Sequence, residues 1–447
     1  MGETATLRRA DLRRVFDAPP GRSEAVGIEV EVGLVCREDR RNASYPQALA
    51  LLDGLVRGRG ASPLLDGAYT IGAAMPGGGT FTLETGGALE YSSAAFPTVA
   101  EAVADVRDNL VAAAGIGVGH GLALITGGIV PFAAADGIAW NPKPRVRVMR
   151  EYFRELGPDG GHADEVMGLI LSAQTSLDYV SHEDLMDKLR LLVRAAPIVA
   201  ALFVDSPVAG GTDTGALSRR MQYWRRFDPR RCGVLGVALE AGAGVDELVE
   251  WALRLPMIYR LVDGSHVAAP GIPFRQAMRD GFGDGTYPTE ADWELHLSQV
   301  WPHVRVRRTL ETRLSDAPPW PWFGAGAALW TGLAYDPRAR SAAGALLRDL
   351  TAEELDRAAV DVAVKGLSAS VGPYLAQDLA RELLRLARRG LSARVAAGLE
   401  RPEALPLLEP LEEVCETMRT FADRTLQAWQ RGPDEFLRAF SVPGEPA

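Results

Sequence analysis

The sequence predicts an α+β protein in which a largely antiparallel sheet carries acidic side chains on one face and packs helices against the other. Three observations support this fold class. Short segments of alternating apolar and polar residues recur between glycine-rich turns in the first third of the chain. Two further alternating segments begin at residues 170 and 304. From about residue 320 onward, apolar residues follow helical spacing, which predicts a helical C-terminal part.

Period-two alternation predicts five strands. A strand directs successive side chains to opposite faces. In the first of them, Ile28, Val30 and Val32 therefore point toward a core, and the polar residues between them point away. Strands are expected at Val26–Val35, Thr80–Glu84, Ala88–Ser92, Ile170–Asp178 and Val304–Leu314.

Capping residues mark the starts of the predicted helices. Thr98 is followed three residues later by Glu101, which is a capping box, and Ser181 with Asp184 is an acidic variant of it. Gly390 follows a basic, amphipathic segment and is expected to end that helix. Helices are expected over Thr98–Ala114, Ser181–Leu202, Tyr374–Arg389 and Leu408–Trp429.

Composition limits the classes of partner. The 447 residues include 58 acids and 48 bases, for a net charge of −10. A nucleic-acid-binding protein usually has a basic excess, so no nucleic-acid partner is expected. The three cysteines, Cys36, Cys232 and Cys415, are widely spaced and fit no zinc pattern, as is typical of a reduced protein.

The sequence also predicts no membrane association. Its long apolar run, Ala195–Val204, contains Pro197 and falls far short of the roughly 20 residues that a membrane helix needs. The N-terminal segment lacks the apolar core of a signal peptide. We therefore expect a soluble, cytoplasmic protein. The sequence gives no basis for predicting its oligomeric state.

The first group of candidate functional residues is a pair of acids on one strand. Glu29 and Glu31 share a face in Gly27–Val35, roughly 7 Å apart at two residues' rise. Two adjacent carboxylates repel unless cations lie between them. Mg²⁺ takes oxygen ligands and leaves positions for phosphate, so this pair is a candidate magnesium site. The alternative is a solvated strand face.

The second group flanks a double glycine. Glu84 and Glu90 lie on either side of Gly86-Gly87, which permits a tight bend or a close approach of the backbone to a ligand. Glu90 alternates with Leu89 and so lies on a polar face. The alternative is a hairpin turn with two surface acids.

Two further strands carry polar residues that suit a nucleotide site. Glu311 and Arg313 share a face, and an acid for metal beside an arginine for phosphate or carboxylate fits ATP binding. A plain surface salt bridge explains this pair equally well. Gln174 shares a face with Ser176 and Asp178, where it would ligate metal weakly, bond substrate or simply face solvent.

Arginines concentrate in one short segment of this acidic chain. A local positive cluster would receive a substrate carboxylate or phosphoryl oxygens, or would only keep a loop soluble. The cluster comprises Arg219, Arg220, Arg225, Arg226, Arg230 and Arg231. The sequence contains no Walker A loop, no Gly-x-Ser-x-Gly and no His-Glu-x-x-His motif, so a P-loop nucleotide site, a serine hydrolase and a zinc enzyme are not supported.

Taken in chain order, these segments resemble the glutamate–cysteine ligase family, in its plant-type branch and the related actinobacterial branch. The likeness spans roughly residues 25 to 395 and consists of five short motifs in the family's order. They are Gly27-Ile28-Glu29-Val30-Glu31, Leu83 to Glu90, Ser218 with Arg220 and Trp224, Asp228 with Arg231 and Gly233, and Leu310-Glu311-Thr312-Arg313.

The resemblance implies a fold similar to glutamine synthetase, in which a curved antiparallel sheet forms a funnel around metals and nucleotide. It implies a lead segment at 1–20, a catalytic domain at 21–400 and a C-terminal helical segment with a tail at 401–447. The acids that match metal ligands are Glu29, Glu31, Glu84, Glu90 and Glu311. Arg220 and Arg313 match arginines that meet glutamate or phosphate. Gln174 and Arg231 are assigned with them to substrate or phosphate binding.

The function that the resemblance implies is an ATP- and Mg²⁺-dependent ligase. It would activate the γ-carboxylate of L-glutamate as an acyl phosphate and couple it to the amine of L-cysteine. Departures from the family pattern concern the acceptor: Thr85 stands where proline is usual, Ala88 where glutamine is usual, and Ser176 where asparagine is usual. Two alternatives stay open, a γ-glutamyl ligase with another amine acceptor and a catalytically silent relative that binds nucleotide or a partner protein.

Overall fold

A central antiparallel sheet organises the chain, of which the structure, a computed structural model, describes residues 7–444. Within them the strands are β1 (Val26–Cys36), β2 (Ser62–Asp66), β3 (Tyr69–Ala74), β4 (Thr80–Leu83), β5 (Leu89–Ser92), β6 (Leu122–Ile125), β7 (Ala173–Leu177), β8 (Val208–Ala209), β9 (Thr212–Asp213), β10 (Cys232–Gly233), β11 (Tyr259–Val262), β12 (Ser265–Ala268), β13 (Trp301–Pro302), β14 (Val304–Val306), β15 (Leu310–Thr312), β16 (Ser370–Val371) and β17 (Tyr374–Leu375).

Nine of these strands form the sheet, in the order β14-β15-β7-β1-β5-β4-β3-β2, with β6 paired to β1 beside this path. Each neighbouring pair in it is antiparallel. The long strand β1 lies near the centre of the sheet, between β7 and β5. Its side chains therefore point into the layers on the two faces of the sheet. A short parallel pairing of β10 with β13 stands apart from this sheet.

Helices make up most of the rest of the chain. They are α1 (Arg9–Arg13), α2 (Tyr45–Arg59), α3 (Val99–Gly119), α4 (Pro144–Glu155), α5 (Ala163–Gly168), α6 (His182–Leu202), α7 (Arg219–Trp224), α8 (Val245–Leu253), α9 (Phe274–Asp280), α10 (Glu290–Ser298), α11 (Ala325–Ala334), α12 (Pro337–Leu346), α13 (Ala352–Lys365), α14 (Ala376–Ala396), α15 (Glu409–Thr417), α16 (Phe421–Gln430) and α17 (Pro433–Phe440). None of the helices within residues 7–444 has the length and apolar character needed to cross a membrane.

The sheet separates two apolar layers. On one face, the buried side chains of Ile28, Val30 and Val32 join the main core with residues of α3, α6 and α11. On the other face lies a smaller cluster that includes Met149 of α4 and Phe227. The polar face of β1 points toward this second layer. The α+β prediction, with an antiparallel sheet and flanking helices, is therefore confirmed.

One predicted strand is in fact a hairpin. The alternation over 304–314 predicts a single strand, but the structure divides this segment into β14 and β15, which pair antiparallel. The chain turns where Arg307 N donates to Thr309 O at 3.0 Å. The turn contains no glycine or proline, so the usual signal for a break is missing.

Gly390 does not end a helix, contrary to the prediction. It lies inside α14, which continues to Ala396. A Cβ atom at position 390 would lie 1.9 Å from the carbonyl oxygen of Gly332 in α11. The glycine is therefore needed for the close approach of two helices, a packing role that resembles a stop signal in the sequence.

The predicted helix over Leu408–Trp429 is also wrong in extent, because it is two helices. Helix α15 ends at Thr417, and Met418, which follows as its C-cap, has a left-handed φ of 58°. Thr420 then caps α16, since its side chain accepts a hydrogen bond from the backbone of Asp423. The helix capped by Ser181 is confirmed, with Asp184 N donating to Ser181 Oγ at 3.1 Å.

The two end segments pack onto the rest of the chain. In the lead segment, Leu12 and Phe16 are buried, and the indole of Trp293 donates to the carbonyl of Leu12 at 3.0 Å. Near the other end, Phe440 is buried and Ser441 forms a β-bridge with Ile125. Residues 1–6 and 445–447 of the predicted lead segment and tail lie outside the described residues.

Candidate active site

The predicted acids of β1 face a cavity of about 330 Å³ on the polar side of the sheet. Strand register brings their partners to them. Glu31 is paired directly opposite Glu90 of β5, and Glu29 is opposite Gln174 of β7. Opposite residues in an antiparallel pair have Cβ atoms about 4.5–5.5 Å apart, so these side chains are neighbours. All four line the cavity.

A tight turn adds Glu84 to the same cavity. Between β4 and β5, Glu84 N donates to Ala88 O at 2.7 Å and Gly87 N donates to Glu84 O at 3.1 Å. A Cβ atom on Gly86 would lie 2.2 Å from the Cα of Gly168, so only glycine allows α5 to approach this turn. The double glycine thus places Glu84 in the cavity and lets α5 pack closely against the turn.

Burial and mutual repulsion raise the pKa of three cavity carboxyl groups, those of Glu29, Glu31 and Glu90. For Glu31, burial and the neighbouring Glu90 and Glu84 raise the pKa to about 8. For Glu90, burial and Glu84 raise the pKa to about 7. Burial, then Glu311 and Glu90, raise the pKa of Glu29 well above its usual range. Clustered carboxyl groups that stay protonated in the absence of a cation are suited to bind divalent cations, whose charge favours the ionised form.

The donor set fits a hard divalent cation, since four cavity carboxylates supply oxygen ligands. They do not yet form a compact coordination sphere. Within residues 7–444, no group of three or more His, Cys, Asp or Glu side chains is arranged closely enough to hold a metal ion.

Glu311 is placed differently from the other four glutamates. It is buried beneath the cavity surface and pairs with two arginines. Arg305 contacts it through Nη2 at 2.7 Å and 2.9 Å, and Arg313 forms a second ion pair with it. Burial alone would raise the pKa of Glu311, but the charges of Arg305 and Arg313 outweigh it and lower the pKa to about 2. The expected metal-ligand role of Glu311 stays a prediction, and the contacts described here are with Arg305 and Arg313.

A hydrogen-bonded chain links this anchor to the acids of β1. Arg313 Nη1 donates to Gln174 Oε1 at 2.7 Å, and Gln174 Nε2 donates to Ser172 Oγ at 3.0 Å. Ser172 Oγ donates in turn to Glu31 Oε2 at 2.8 Å. Gln174 and Ser172 thus link Arg313, just after β15, to Glu31 of β1.

Arg220 lines the cavity, as expected for a site residue, but the hydrogen bonds of its guanidinium group go to backbone carbonyls. Its guanidinium donates to the carbonyls of Arg313 and Leu314, both at 2.8 Å, and of Ser315 at 3.1 Å. It also lies 3.7 Å from Asp316. Arg220 therefore fixes the segment that carries Arg313, while its buried Nε is without a partner among residues 7–444.

Arg231 does not line the cavity, so its assignment to substrate or phosphate binding is not supported. It is fully buried and bonds Asp228 at 2.9 Å, the hydroxyl of Tyr152 at 3.0 Å and the carbonyl of Pro256 at 2.5 Å. These contacts use the guanidinium to join three segments of chain. The other arginines of the cluster do not act together either, because Arg220 alone of the six lines the cavity.

Several cationic residues of the site were missed by the sequence reasoning. Arg305 and Arg307 line the cavity beside Arg313, on the strand face opposite Val304 and Val306. The alternation of Val304, Arg305, Val306 and Arg307 in the sequence indicates that the two arginines share a polar face. Arg145, just inside the start of α4, also lines the cavity.

Lys143 was also missed. It is buried close to the acids of the β4–β5 turn. Burial and the charge of Arg145 lower the pKa of Lys143 to about 8, against the opposing effect of Glu84 and Glu90. The cavity therefore combines a cluster of acids with arginines in its lining, and Lys143 is buried near the acids.

Comparisons with known proteins point to one family. The model of glutamate–cysteine ligase family 2 matches residues 25–438. Chloroplastic glutamate–cysteine ligase B of Oryza sativa subsp. japonica is 30% identical over 441 residues, which cover 96% of this chain and 86% of the rice protein. The chloroplastic glutamate–cysteine ligase of Arabidopsis thaliana is 30% identical over 393 residues, covering 87% of this chain and 73% of that protein.

Solved structures show a similar fold. A glutamate–cysteine ligase of Francisella tularensis, crystallised in complex with AMP, aligns with a TM-score of 0.59 and 14% identity, covering 93% of this chain and 86% of that chain. A bifunctional glutathione synthetase of Pasteurella multocida aligns with a TM-score of 0.50 and 14% identity, covering 96% of this chain and 52% of that chain. At such identity the likeness concerns the fold.

Proposed function

This chain belongs to glutamate–cysteine ligase family 2, and from that membership we propose that it joins the γ-carboxylate of L-glutamate to the amine of L-cysteine at the expense of ATP, with Mg²⁺ bound. One observation carries the proposal. Four acids from two strands and a turn share one cavity with three arginines of the β14–β15 hairpin. That combination suits the transfer of a phosphoryl group between two anionic substrates.

Glu29, Glu31, Glu84 and Glu90 are the residues that would hold Mg²⁺ in this proposal. Their oxygens are hard ligands, and burial together with the neighbouring acids raises the pKa of Glu29, Glu31 and Glu90. Bound Mg²⁺ would neutralise charge on the nucleotide phosphates. Glu311 instead keeps two arginines in place, so it contributes to the site indirectly.

The first chemical step is phosphoryl transfer. An oxygen of the glutamate γ-carboxylate attacks the γ-phosphorus of ATP, and the bond to the β,γ-bridging oxygen breaks as ADP leaves. Arg305, Arg307 and Arg313 face this space and stabilise the charge on the transferring group. Because Glu311 pins Arg305 and Arg313, their guanidinium groups need little reorganisation.

The second step is acyl transfer. The amine nitrogen attacks the acyl carbon, the bond from that carbon to the phosphate oxygen breaks, and inorganic phosphate leaves. The nitrogen releases one proton as the amide forms. Arg220 and Gln174 act here by holding Arg313 against the departing phosphate.

A second candidate function has an observation in its favour. Thr85 and Ala88, two of the departures from the family pattern, both line the cavity. The differences thus fall where a substrate would touch the protein. A γ-glutamyl ligase that uses an amine other than cysteine is the alternative that follows.

An acceptor screen tests the proposal. ADP release is measured with ATP, Mg²⁺ and L-glutamate, with and without L-cysteine and a panel of other amines, and adducts are identified by mass. We expect ADP release to require glutamate and cysteine together. Turnover with another amine but not cysteine selects the second candidate. Retained ATP binding with no turnover for any amine indicates a catalytically silent relative.

We also propose that the protein works in a reducing compartment such as the cytoplasm. All three cysteines are free, and two of them, Cys36 and Cys232, are only partly buried. Unpaired thiols of this kind are typical of proteins in reducing surroundings.

A further inference from the structure

Asp316 is a buried acid that lies next to the cavity of the candidate active site without lining it. It follows β15 and forms a β-bridge with Ser172, which does line the cavity. A Cβ atom on Gly128 would lie 2.5 Å from the carboxyl carbon of Asp316, so the backbone of this glycine packs directly against the acid. The carboxyl group is therefore confined to one place beside the cavity wall.

Two buried hydroxyl groups and one backbone amide donate to this carboxylate. Ser206 Oγ and Asp205 N each donate to Asp316 Oδ2 at 2.8 Å, and Ser218 Oγ donates to Asp316 Oδ1 at 3.0 Å. An ionised carboxylate can only accept hydrogen bonds, so it fixes the direction of both hydroxyl protons. Each hydroxyl oxygen is then free to accept from another group.

Both hydroxyl oxygens accept from the first amides of α7. Arg220 N donates to Ser206 Oγ at 3.1 Å, and Met221 N donates to Ser218 Oγ at 3.2 Å. The first amides of a helix have no partner within the helix, so these two bonds determine where α7 begins. Arg220 and Trp224 of α7 line the active-site cavity. The carboxylate of Asp316 thus acts on the cavity wall through two serines.

Asp316 also faces the side chain of Arg220, with Nη1 3.7 Å from Oδ1. The same guanidinium donates to the carbonyl of Arg313 at 2.8 Å. Burial raises the pKa of Asp316, whereas the charge of Arg220 and the hydrogen bonds from Asp205, Ser206 and Ser218 lower it. One carboxylate therefore holds both the backbone and the side chain of the arginine that fixes Arg313.

We propose that Asp316 is a positioning residue of the ligase. Through Ser206 and Ser218 it sets the start of α7, and through Arg220 it holds Arg313 in the cavity. It does so without touching a substrate, since it does not line the cavity. This inference rests on the proposed ligase function and adds to it a residue that acts from outside the substrate space.

A neighbouring acid provides a matched control for Asp316→Asn. Asp205 is as deeply buried, but its side chain bonds Thr425 of α16, makes no contact with α7 and does not line the cavity. Burial raises the pKa of Asp205 well above its usual range, so Asp205→Asn changes its charge little. We expect Asp316→Asn to lower kcat/KM for glutamate about tenfold or more and Asp205→Asn to stay within about twofold of wild type. Equal losses in the two variants would overturn the proposal.

A kinetic double-mutant cycle separates positioning from general damage. Arg220→Lys keeps the positive charge but loses the planar fork that reaches three carbonyls. If Asp316 acts through Arg220, the variant that combines Asp316→Asn with Arg220→Lys should have a kcat/KM within about twofold of that of Arg220→Lys alone. Losses that multiply would show that Asp316 acts by another route, and the proposal would be wrong.

Ser218→Ala provides a second variant in which the carboxylate is intact. It removes one of the two hydroxyl links, and we expect it to lower kcat/KM about threefold or more without adding to the loss in Asp316→Asn. If Asp316→Asn does not fold, the cycle of Ser218→Ala with Arg220→Lys replaces the first one, with the same criterion. Multiplied losses in either cycle count against a route through α7.

Hydrogen–deuterium exchange tests the placement of α7 independently of turnover. In the full chain without ligands, the peptide that contains the amides of Arg220 and Met221 should exchange about threefold faster or more in Asp316→Asn, with no change in Asp205→Asn. An unchanged exchange rate in Asp316→Asn would overturn the proposal. Absence of turnover by the wild-type protein with any amine would instead refute the ligase function, while the exchange rates still decide whether Asp316 places α7.

Discussion

Glu31 of β1 and Glu90 of β5 are paired directly opposite each other across two antiparallel strands, both facing the cavity. Burial and proximity raise the pKa of Glu31 to about 8 and of Glu90 to about 7. Without a cation between them, the two carboxyl groups therefore retain protons near neutral pH. The same pairing gives two oxygen donors to any cation that enters.

Replacing either of these acids should remove activity while leaving the fold intact. Glu31→Gln or Glu90→Gln is expected to lower kcat by about 10²–10³-fold, because a charge that acts on the phosphoryl group is lost. At a pH above these two pKa values, thermal unfolding of the metal-free variant should occur at or above the wild-type temperature, since the repulsion between two ionised carboxylates is gone. A variant with near-normal turnover would exclude that residue from the site.

The stability of the metal-free protein should depend on pH through this pair. A carboxyl whose folded pKa lies above its unfolded value of about 4.3 binds more protons when folded. Its contribution to stability is full below pH 4.3 and is lost as pH rises through the folded values of about 7 and about 8. The difference in unfolding free energy between wild type and Glu31→Gln/Glu90→Gln should shift in favour of the variant from pH 5 to pH 8.5.

Urea titrations at several pH values measure that difference. Mg²⁺ should increase the unfolding free energy of the wild-type protein more at pH 8.5 than at pH 6, because ionised carboxylates are better ligands. A difference that is constant over this range would contradict the assigned ionisation of the pair.

Substitution of Glu311 distinguishes a role in holding Arg305 and Arg313 from a role as a metal ligand. Glu311→Gln leaves Arg305 and Arg313 buried without a counter-charge, which should cost about 3–5 kcal/mol of unfolding free energy. Glu294→Gln breaks an exposed pair with Arg308 and should cost under about 1 kcal/mol. Denaturant unfolding compares the two. Full stability together with lost Mg²⁺ affinity in Glu311→Gln would favour the metal-ligand role implied by the family resemblance.

Arg231 should prove structural. Arg231→Met removes contacts with Asp228, Tyr152 and Pro256, and leaves Asp228 with Arg230 as its remaining ion-pair partner, so the unfolding free energy should fall by about 3 kcal/mol. The KM values for ATP and glutamate, measured on the folded fraction, should stay within about twofold of wild type. A selective rise in either KM at normal stability would return Arg231 to the binding site.

The close approach of α11 and α14 is tested with alanine. At Gly390 an added Cβ would lie 1.9 Å from the carbonyl oxygen of Gly332, so Gly390→Ala should lower the unfolding free energy by about 1–3 kcal/mol or more. At Gly344 of α12 the added atom meets nothing within 4 Å, so Gly344→Ala should raise it by about 0.4–1 kcal/mol. Equal changes in unfolding free energy for Gly390→Ala and Gly344→Ala would mean that α11 and α14 can move apart to accept the added methyl group.

The sequence predicted the strands and acids well where a local pattern coincides with the fold. Alternation over β1 placed Glu29 and Glu31 on one face, and the double glycine placed Glu84 and Glu90 on either side of a turn. The sequence pattern does not reveal that Glu311 contacts two arginines. Arg305 lies opposite Glu311 only because the chain reverses direction between β14 and β15. Nor could it show that Gly390 packs against Gly332, 58 residues earlier in the chain, since a contact between two helices leaves no periodic signal.

Arginines were the least predictable part of the site. Arg231 and Arg220 belong to one cluster in the sequence, yet only Arg220 lines the cavity. The partner of Arg231, Tyr152, lies on α4, far away in the chain. Whether a cation is free for a ligand depends on such distant contacts, and local charge density does not report them.

The protons retained on the glutamate cluster have a thermodynamic consequence for ligand loading. Cations that occupy the cavity must expel them, so filling the site acidifies an unbuffered solution. The heat of Mg²⁺ uptake should accordingly vary with the ionisation enthalpy of the chosen buffer. Titration calorimetry in phosphate and in Tris at one pH would then count the protons exchanged for each metal ion.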